Sequence, residues 1–272
     1  MIIVLNKYKR LVKEKTQLTL LLFSKNRRID FIVGGTQKGG TTALDHYLRK
    51  HPQIGMAKEK EVHFFDNEDA FSGTNINYSK YHMFFDLLKN KKIYGEITPK
   101  YLYWKPSCKR IYDYNPNIKL IFILRNPITR AFSHWNMEFD NNSENETFSS
   151  AIRIESERIK KSLPLQNRIY SYIDRGLYSD QIKRYKDYFP DNQLMFIKYE
   201  DYTANQEKTL NNIFGFLGVD ANKFTFKYKT VHKRKKHSEI SEEDKKYLIQ
   251  IFKNDIHQVE KELNWDCSDW FK

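Results

Sequence analysis

Phe31-Ile32-Val33-Gly34-Gly35-Thr36-Gln37-Lys38-Gly39-Gly40-Thr41-Thr42 is an apolar run that passes into a glycine-rich turn and then into a helix start. Ile29 to Gly34, with charge before it and glycine after, reads as a buried strand of a parallel sheet. Ala43, Leu44, Tyr47 and Leu48 then recur at helical spacing, and His51-Pro52 ends the pattern because the residue before a proline avoids the helical region. Strand, loop, helix is the order that builds a phosphate cradle, since the first N–H groups of a helix lack intrahelical acceptors and carry partial positive charge. Against the pattern G-x-x-x-x-G-K-[ST], Gly35 and Gly40 fall on the glycines and Thr42 on the hydroxyl residue, but Thr41 stands in place of the lysine. The loop's lysine is Lys38, inside the turn. A lysine after the second glycine reaches the β and γ phosphates of a triphosphate, whereas one within the loop sits nearer the first phosphate of a shorter ligand. The loop therefore suits a nucleotide 5′-phosphate.

Further strands are expected at Ile93 to Ile97, Lys119 to Leu124 and Gln193 to Lys198, separated by helical patterns such as Ile128 to Phe139, Tyr178 to Phe189 and Gln206 to Leu217. A last long helix is expected from Ser241, its cap, to Leu263. This alternation predicts a three-layer α/β fold, a central parallel sheet flanked by helices and carrying a P-loop-like nucleotide site. At 272 residues, one domain is expected over 28–272, preceded by an N-terminal helical extension over 1–27.

The composition, 40% hydrophobic and 15% aromatic, excludes a disordered chain. Lys and Arg number 47 against 34 Asp and Glu, and the formal charge of +13 favours anionic partners, although an AT-rich genome accounts for abundant lysine equally well. Cys108 and Cys267 form no metal-ligand or CxxC spacing, which excludes a disulfide framework, leaves room for one bridge and fits a reducing compartment best. The apolar run Leu18 to Phe23 is too short to span a bilayer and lacks a small-residue cleavage site. It reads as a helix lying on the domain or making a peripheral membrane contact.

Four segments together carry a resemblance to a known family: the loop around Lys38, Glu61-Val62-His63-Phe64-Phe65-Asp66, Glu96-Ile97-Thr98-Pro99-Lys100-Tyr101, and Leu124-Arg125-Asn126-Pro127 through Ser133. In this order and on these elements they resemble the sulfotransferases that use 3′-phosphoadenylyl sulfate, and most of all the heparan sulfate 3-O and N branches. The resemblance covers roughly Arg28 to the C-terminus.

It implies that Gly35, Thr36, Gln37, Lys38, Gly39, Gly40, Thr41 and Thr42 hold the 5′-phosphosulfate, with Lys38 neutralising charge on the bridging oxygen. Arg125 and Ser133 match the pair that holds the 3′-phosphate, with Arg130 a weaker candidate on the same helix. Glu61 matches the general base of the 3-O branch, kept ionised by Lys58 and Lys60, and His63 its orienting partner. Glu96, Thr98, Lys100 and Tyr101 fall on the acceptor side, where Ile97 departs from the 3-O pattern by replacing a lysine; Tyr101, Tyr103 and Trp104 read either as a sugar-stacking wall or as core. Lys233 and Arg234, in the basic cluster before the last helix, are placed to close over the nucleotide. The implied reaction moves a sulfuryl group to a hydroxyl or amine of a glycan or glycolipid acceptor, leaves adenosine 3′,5′-bisphosphate, and needs no metal and no specific nucleic acid. A bacterial cytoplasmic enzyme, or a trimmed catalytic domain from the Golgi lumen, fits these features. The rival readings are a nucleotide kinase with a degenerate loop and a nonenzymatic polyanion-binding domain driven by charge.

Overall fold

The computed structural model describes residues 27–227, 237 and 239–272, so Lys233, Arg234 and all of the expected N-terminal extension except Arg27 lie outside the described residues. In chain order the elements are β1 (Phe31–Gly35), α1 (Thr41–Lys50), β2 (Ile54–Met56), α2 (Tyr78–His82), β3 (Ile93–Ile97), α3 (Lys105–Tyr114), β4 (Lys119–Leu124), α4 (Pro127–Asp140), α5 (Phe148–Lys160), α6 (Ser179–Lys186), β5 (Leu194–Lys198), α7 (Tyr199–Ala204), α8 (Gln206–Leu217) and α9 (Glu242–Leu263).

The five strands form one parallel sheet in the order β2-β3-β1-β4-β5, with Val33 paired to Ile97 on one side and Ile121 on the other. Strand side chains alternate between faces, and here the alternation sorts two cores. Ile32, Leu120, Phe122 and Leu124 pack with Ile111 of α3, Ile128 of α4, Tyr185 of α6 and Phe252 of α9. Phe31, Val33, Ile121 and Ile123 pack with Leu44 and Leu48 of α1 and Ile213 and Phe214 of α8. Three layers result.

The helix starts follow from local chemistry. Asn126 caps α4 by accepting from the N–H groups of Ile128 and Thr129, with Pro127 at the first helical position, where no N–H is required. Ser241 caps α9 by accepting from Asp244. The last turn, Ser268–Phe271, seals the domain: Trp270 is buried, its carbonyl accepts from Asn126, and its ring N–H donates to Glu200.

One strand expectation is corrected, and one strand was not expected. Ile29 lies outside β1 because its N–H goes to the Tyr114 hydroxyl at 2.8 Å. β2 has three residues, too few to show a period of two, and owes its existence to pairing with β3. β1 lies between β3 and β4 while the chain moves first to β2, so the crevice at the carboxyl ends of β1, β3 and β4 is a topological switch point, where ligands of open α/β sheets bind.

Candidate active site

The glycine-rich loop leaves β1 and is tied to β4, because the Thr36 N–H donates to the Ile123 carbonyl at 2.9 Å. Gly39 is pressed against the same carbonyl: a Cβ there would stand 2.5 Å from its oxygen. Gly40, with φ 85°, caps α1 without a side chain, so the first-turn N–H groups have no side-chain cap, and a Cβ there would stand 2.8 Å from the Tyr199 ring. Thr36, Gly39 and Thr41 are buried, Gln37, Lys38 and Gly40 half-buried, and Thr42 exposed. Gly35 is buried at the strand end.

Arg125, directly after β4, reaches this loop. Its Nη1 donates to the Lys38 carbonyl at 3.2 Å, its Nε to Thr129 Oγ1 at 3.0 Å, and its guanidinium lies 4.9 Å over the Tyr199 ring. Ser133, one turn after Thr129 on α4, is half-buried on the same helical face. Arg130 is corrected: it is fully buried and donates to the Tyr172 carbonyl, so it has no surface for a nucleotide.

The Glu61 segment docks on the end of β3, with the Glu61 N–H donating to the Ile97 carbonyl at 2.9 Å. Lys60 Nζ lies 2.6 Å from Glu61 Oε1, and His63 Nε2 lies 3.4 Å from Oε2. The other ring nitrogen, Nδ1, lies 3.0 Å from Oδ2 of buried Asp66, which also takes Arg168 Nη1 at 3.2 Å. Burial pushes the Glu61 carboxyl up, but hydrogen bonding to His63 and the Lys60 ammonium outweigh it and hold it down to about 2. Hydrogen bonds to Asp66 and Glu61 raise His63 to about 9 against burial, so the ring is an imidazolium at neutral pH. Lys58 is corrected, since its ammonium donates to the Met83 carbonyl.

Among the described residues, six non-glycine residues have left-handed φ. Three are Asn90, Asn142 and Asn264, a residue type that tolerates this region. The others are Lys38 (71°) and Glu61 (64°), for which the conformation is uncommon, and His63 (53°), a type found there more often. Such backbone persists where the surroundings over-determine it, and it clusters at functional sites.

Three of the four residues expected to touch the acceptor do not face it. Glu96, Thr98 and Tyr101 are fully buried. Glu96 accepts from the Tyr81 and Tyr101 hydroxyls through Oε1, at 2.8 and 3.1 Å, and from Thr98 through Oε2, at 2.6 Å; burial raises its carboxyl to about 7. The Tyr101 hydroxyl accepts from the Phe64 N–H, which makes this network the back wall of the Glu61 segment. Tyr103 and Trp104 are buried with them, so these aromatics are core rather than a sugar-stacking wall. Lys100 alone of the four is half-exposed; burial and the Arg175 charge depress its ammonium, while Asp66 and Glu61 pull the other way.

Arg168, Arg175 and Tyr199 were not expected at the site, and Asp66 was quoted without a role. Tyr199 had a signal, for it follows β5 at the same sheet edge as the other loops. The arginines had none, lying far along the chain, Arg168 in an irregular loop and Arg175 in a single 3-10 turn, Asp174–Gly176. Among the described residues no three His, Cys, Asp or Glu side chains are arranged to hold a metal ion, and no helix is long and apolar enough to cross a membrane.

A sulfotransferase domain model matches residues 28–258. The membrane-associated sulfotransferase kil1 of Dictyostelium discoideum is 25% identical over 314 residues, covering 87% of this chain and 65% of its own length. Heparan sulfate glucosamine 3-O-sulfotransferase 5 of Homo sapiens is 32% identical over 189 residues, covering 69% of this chain and 53% of its own. The chain thus spans about half to two-thirds of these relatives. A sulfotransferase structure from Alicyclobacillus acidocaldarius superposes with a TM-score of 0.77 at 27% identity, covering 90% of this chain and 100% of that one.

Proposed function

Because this chain belongs to the sulfotransferase domain family, we propose that it moves a sulfuryl group from 3′-phosphoadenylyl sulfate to a hydroxyl, or an amine, of a carbohydrate acceptor. The observation that carries the proposal is the convergence of two loops at one sheet edge. The loop of Lys38 leaves β1 and the Glu61–His63–Asp66 cluster sits on the end of adjacent β3; the Thr98 and Leu102 N–H groups tie that end to the Val33 and Gly34 carbonyls.

Bound in this crevice, the donor supplies an activated sulfuryl group on its 5′-phosphate. Lys38 and the first N–H groups of α1 hold that phosphate, and Arg125 with Ser133 takes the 3′-phosphate, a dianion that suits a planar guanidinium fork. Glu61 accepts the acceptor's proton as the acceptor oxygen bonds to sulfur. Lys38 stabilises the bridging oxygen as its bond to sulfur breaks, a charge that develops only in the transition state. A carboxylate held at about 2 is ionised throughout the neutral range, and the acceptor hydroxyl competes with Lys60 for its lone pair.

The kinase reading lacks its lysine after Gly40, and the polyanion-binding reading gives no role to a base bonded to a histidine that a buried aspartate holds. Two free, buried cysteines fit action in a reducing compartment, such as the cytoplasm. The test is transfer of radiolabelled sulfuryl from the donor to a panel of neutral and acidic oligosaccharides and glycolipids. Label should reach at least one acceptor with wild-type protein and none with Lys38→Ala or Glu61→Ala; turnover retained by Glu61→Ala removes Glu61 as the base.

A further inference from the structure

The loop between α5 and α6 grips both halves of the site. Arg175 is 1% exposed, and its planar fork points two ways. Nη1 donates to the Gln37 side-chain oxygen in the donor loop. Nη2 donates to the Arg168 carbonyl at 3.1 Å and to Ser171 Oγ at 2.9 Å, and the Tyr103 ring lies 4.5 Å away beneath the guanidinium. Arg168 faces the base cluster: Nη1 and Nη2 donate to the carboxylate and the carbonyl of Asp66, and the guanidinium stacks 4.3 Å over Trp104. Asp66 holds His63, and His63 holds Glu61. An unbroken series of polar contacts thus joins Gln37 to Glu61.

Among the described residues, the hydrogen-bond acceptors of Arg175 are neutral oxygens. Burying a cation without a bonded carboxylate opposes folding, so stability alone does not account for it. A lysine has no second, diverging donor edge with which to hold the donor loop and the Arg168 carbonyl together.

We propose that Arg175 is a positioning residue that, with Arg168, forms a bracket setting the register between the sulfuryl donor and the base. The inference rests on the sulfotransferase reading above. Neither arginine touches the reacting atoms; their effect comes through Gln37 on one side and Asp66 on the other. Misplacing reacting groups by about 1 Å costs on the order of 100-fold in rate.

The test is a double-variant cycle of Arg175→Met and Arg168→Met. It is read as release of adenosine 3′,5′-bisphosphate from 3′-phosphoadenylyl sulfate, with partly desulfated heparin oligosaccharides as the acceptor probe. Each single variant should lower kcat about 100-fold while KM for the donor moves less than about threefold, because positioning is lost and donor binding is not. The double variant should be within about threefold of the worse single, since a bracket opened at one end has nothing further to lose. Arg175→Lys should not rescue. Losses that multiply to about 10⁴, rescue by lysine, or activity that tracks the melting midpoint would overturn the bracket. Wild-type protein that neither binds nor releases the bisphosphate would instead overturn the sulfotransferase reading, and the bracket with it.

Discussion

The Nδ1 of His63 lies 3.0 Å from Oδ2 of Asp66, a carboxylate whose side chain has no exposed surface. Burial pushes Asp66 up, but the hydrogen bond from His63 and the charges of His63 and Arg168 hold it below the usual carboxylate range. Asp66 therefore stays an anion, the imidazolium is fixed by it, and the other ring nitrogen is aimed at Glu61. The base is oriented by a group that is itself oriented.

This arrangement predicts a pH profile. Glu61 is ionised above about 2 and His63 is raised to about 9, so kcat/KM should be level across the neutral range and fall as pH rises through about 9. A raised histidine contributes stability that is full below its ordinary value near 6.5 and is lost as pH rises through about 9. Rates and melting midpoints measured across this range should show both effects, and His63→Gln should abolish the alkaline limb. An alkaline limb retained by that variant assigns it to another group.

Lys60 sets the acid side. Removing its ammonium with Lys60→Met frees Glu61 Oε1 and should raise the Glu61 carboxyl from about 2 toward its ordinary value. The acid limb of kcat/KM should move to higher pH in step with the side-chain carboxyl-carbon shift of labelled Glu61.

Gly39 tests the donor loop. A methyl group 2.5 Å from the Ile123 carbonyl oxygen cannot be accommodated without moving backbone, and overpacking of this kind costs about 1–3 kcal/mol. Gly39→Ala should lower stability by about that amount in urea unfolding and abolish bisphosphate binding, whereas Thr42→Ala, at an exposed position, should spare stability.

Glu96 tests the back wall. Glu96→Ala strips acceptors from the hydroxyls of Tyr81, Tyr101 and Thr98, and one buried unsatisfied group costs about 1–3 kcal/mol. The variant should lose at least about 3 kcal/mol in urea unfolding, with activity falling because the Glu61 segment loosens. The raised carboxyl contributes stability that is full below 4.5 and lost as pH rises through about 7, a dependence that Glu96→Gln should remove.

The strands β1, β3, β4 and β5 and the donor loop were legible because a buried parallel strand leaves a contiguous apolar run and a phosphate loop needs glycine at fixed offsets. Glu61 and His63 were singled out through the resemblance of their segment to the family's, not through spacing or periodicity. The roles of Glu96, Thr98 and Tyr101 were not, because a motif records which residue stands at a position and not whether its side chain faces solvent or a hydroxyl network behind it. Lys58 and Lys60 look alike in sequence, two residues apart beside Glu61, and only the turn of the backbone sends one to the Met83 carbonyl and the other to the carboxylate. Arg168 and Arg175 reach the site across more than a hundred residues, a pairing that no local pattern encodes.

The most direct measurement is calorimetric titration of the protein with adenosine 3′,5′-bisphosphate in EDTA, with ATP and 5′-AMP as comparators. The account predicts binding of the bisphosphate in preference to both, weakened about 10- to 100-fold by Arg125→Ala, the worth of a charge-assisted arginine contact. Equal affinity for 5′-AMP, or binding that requires ATP and magnesium, would contradict it.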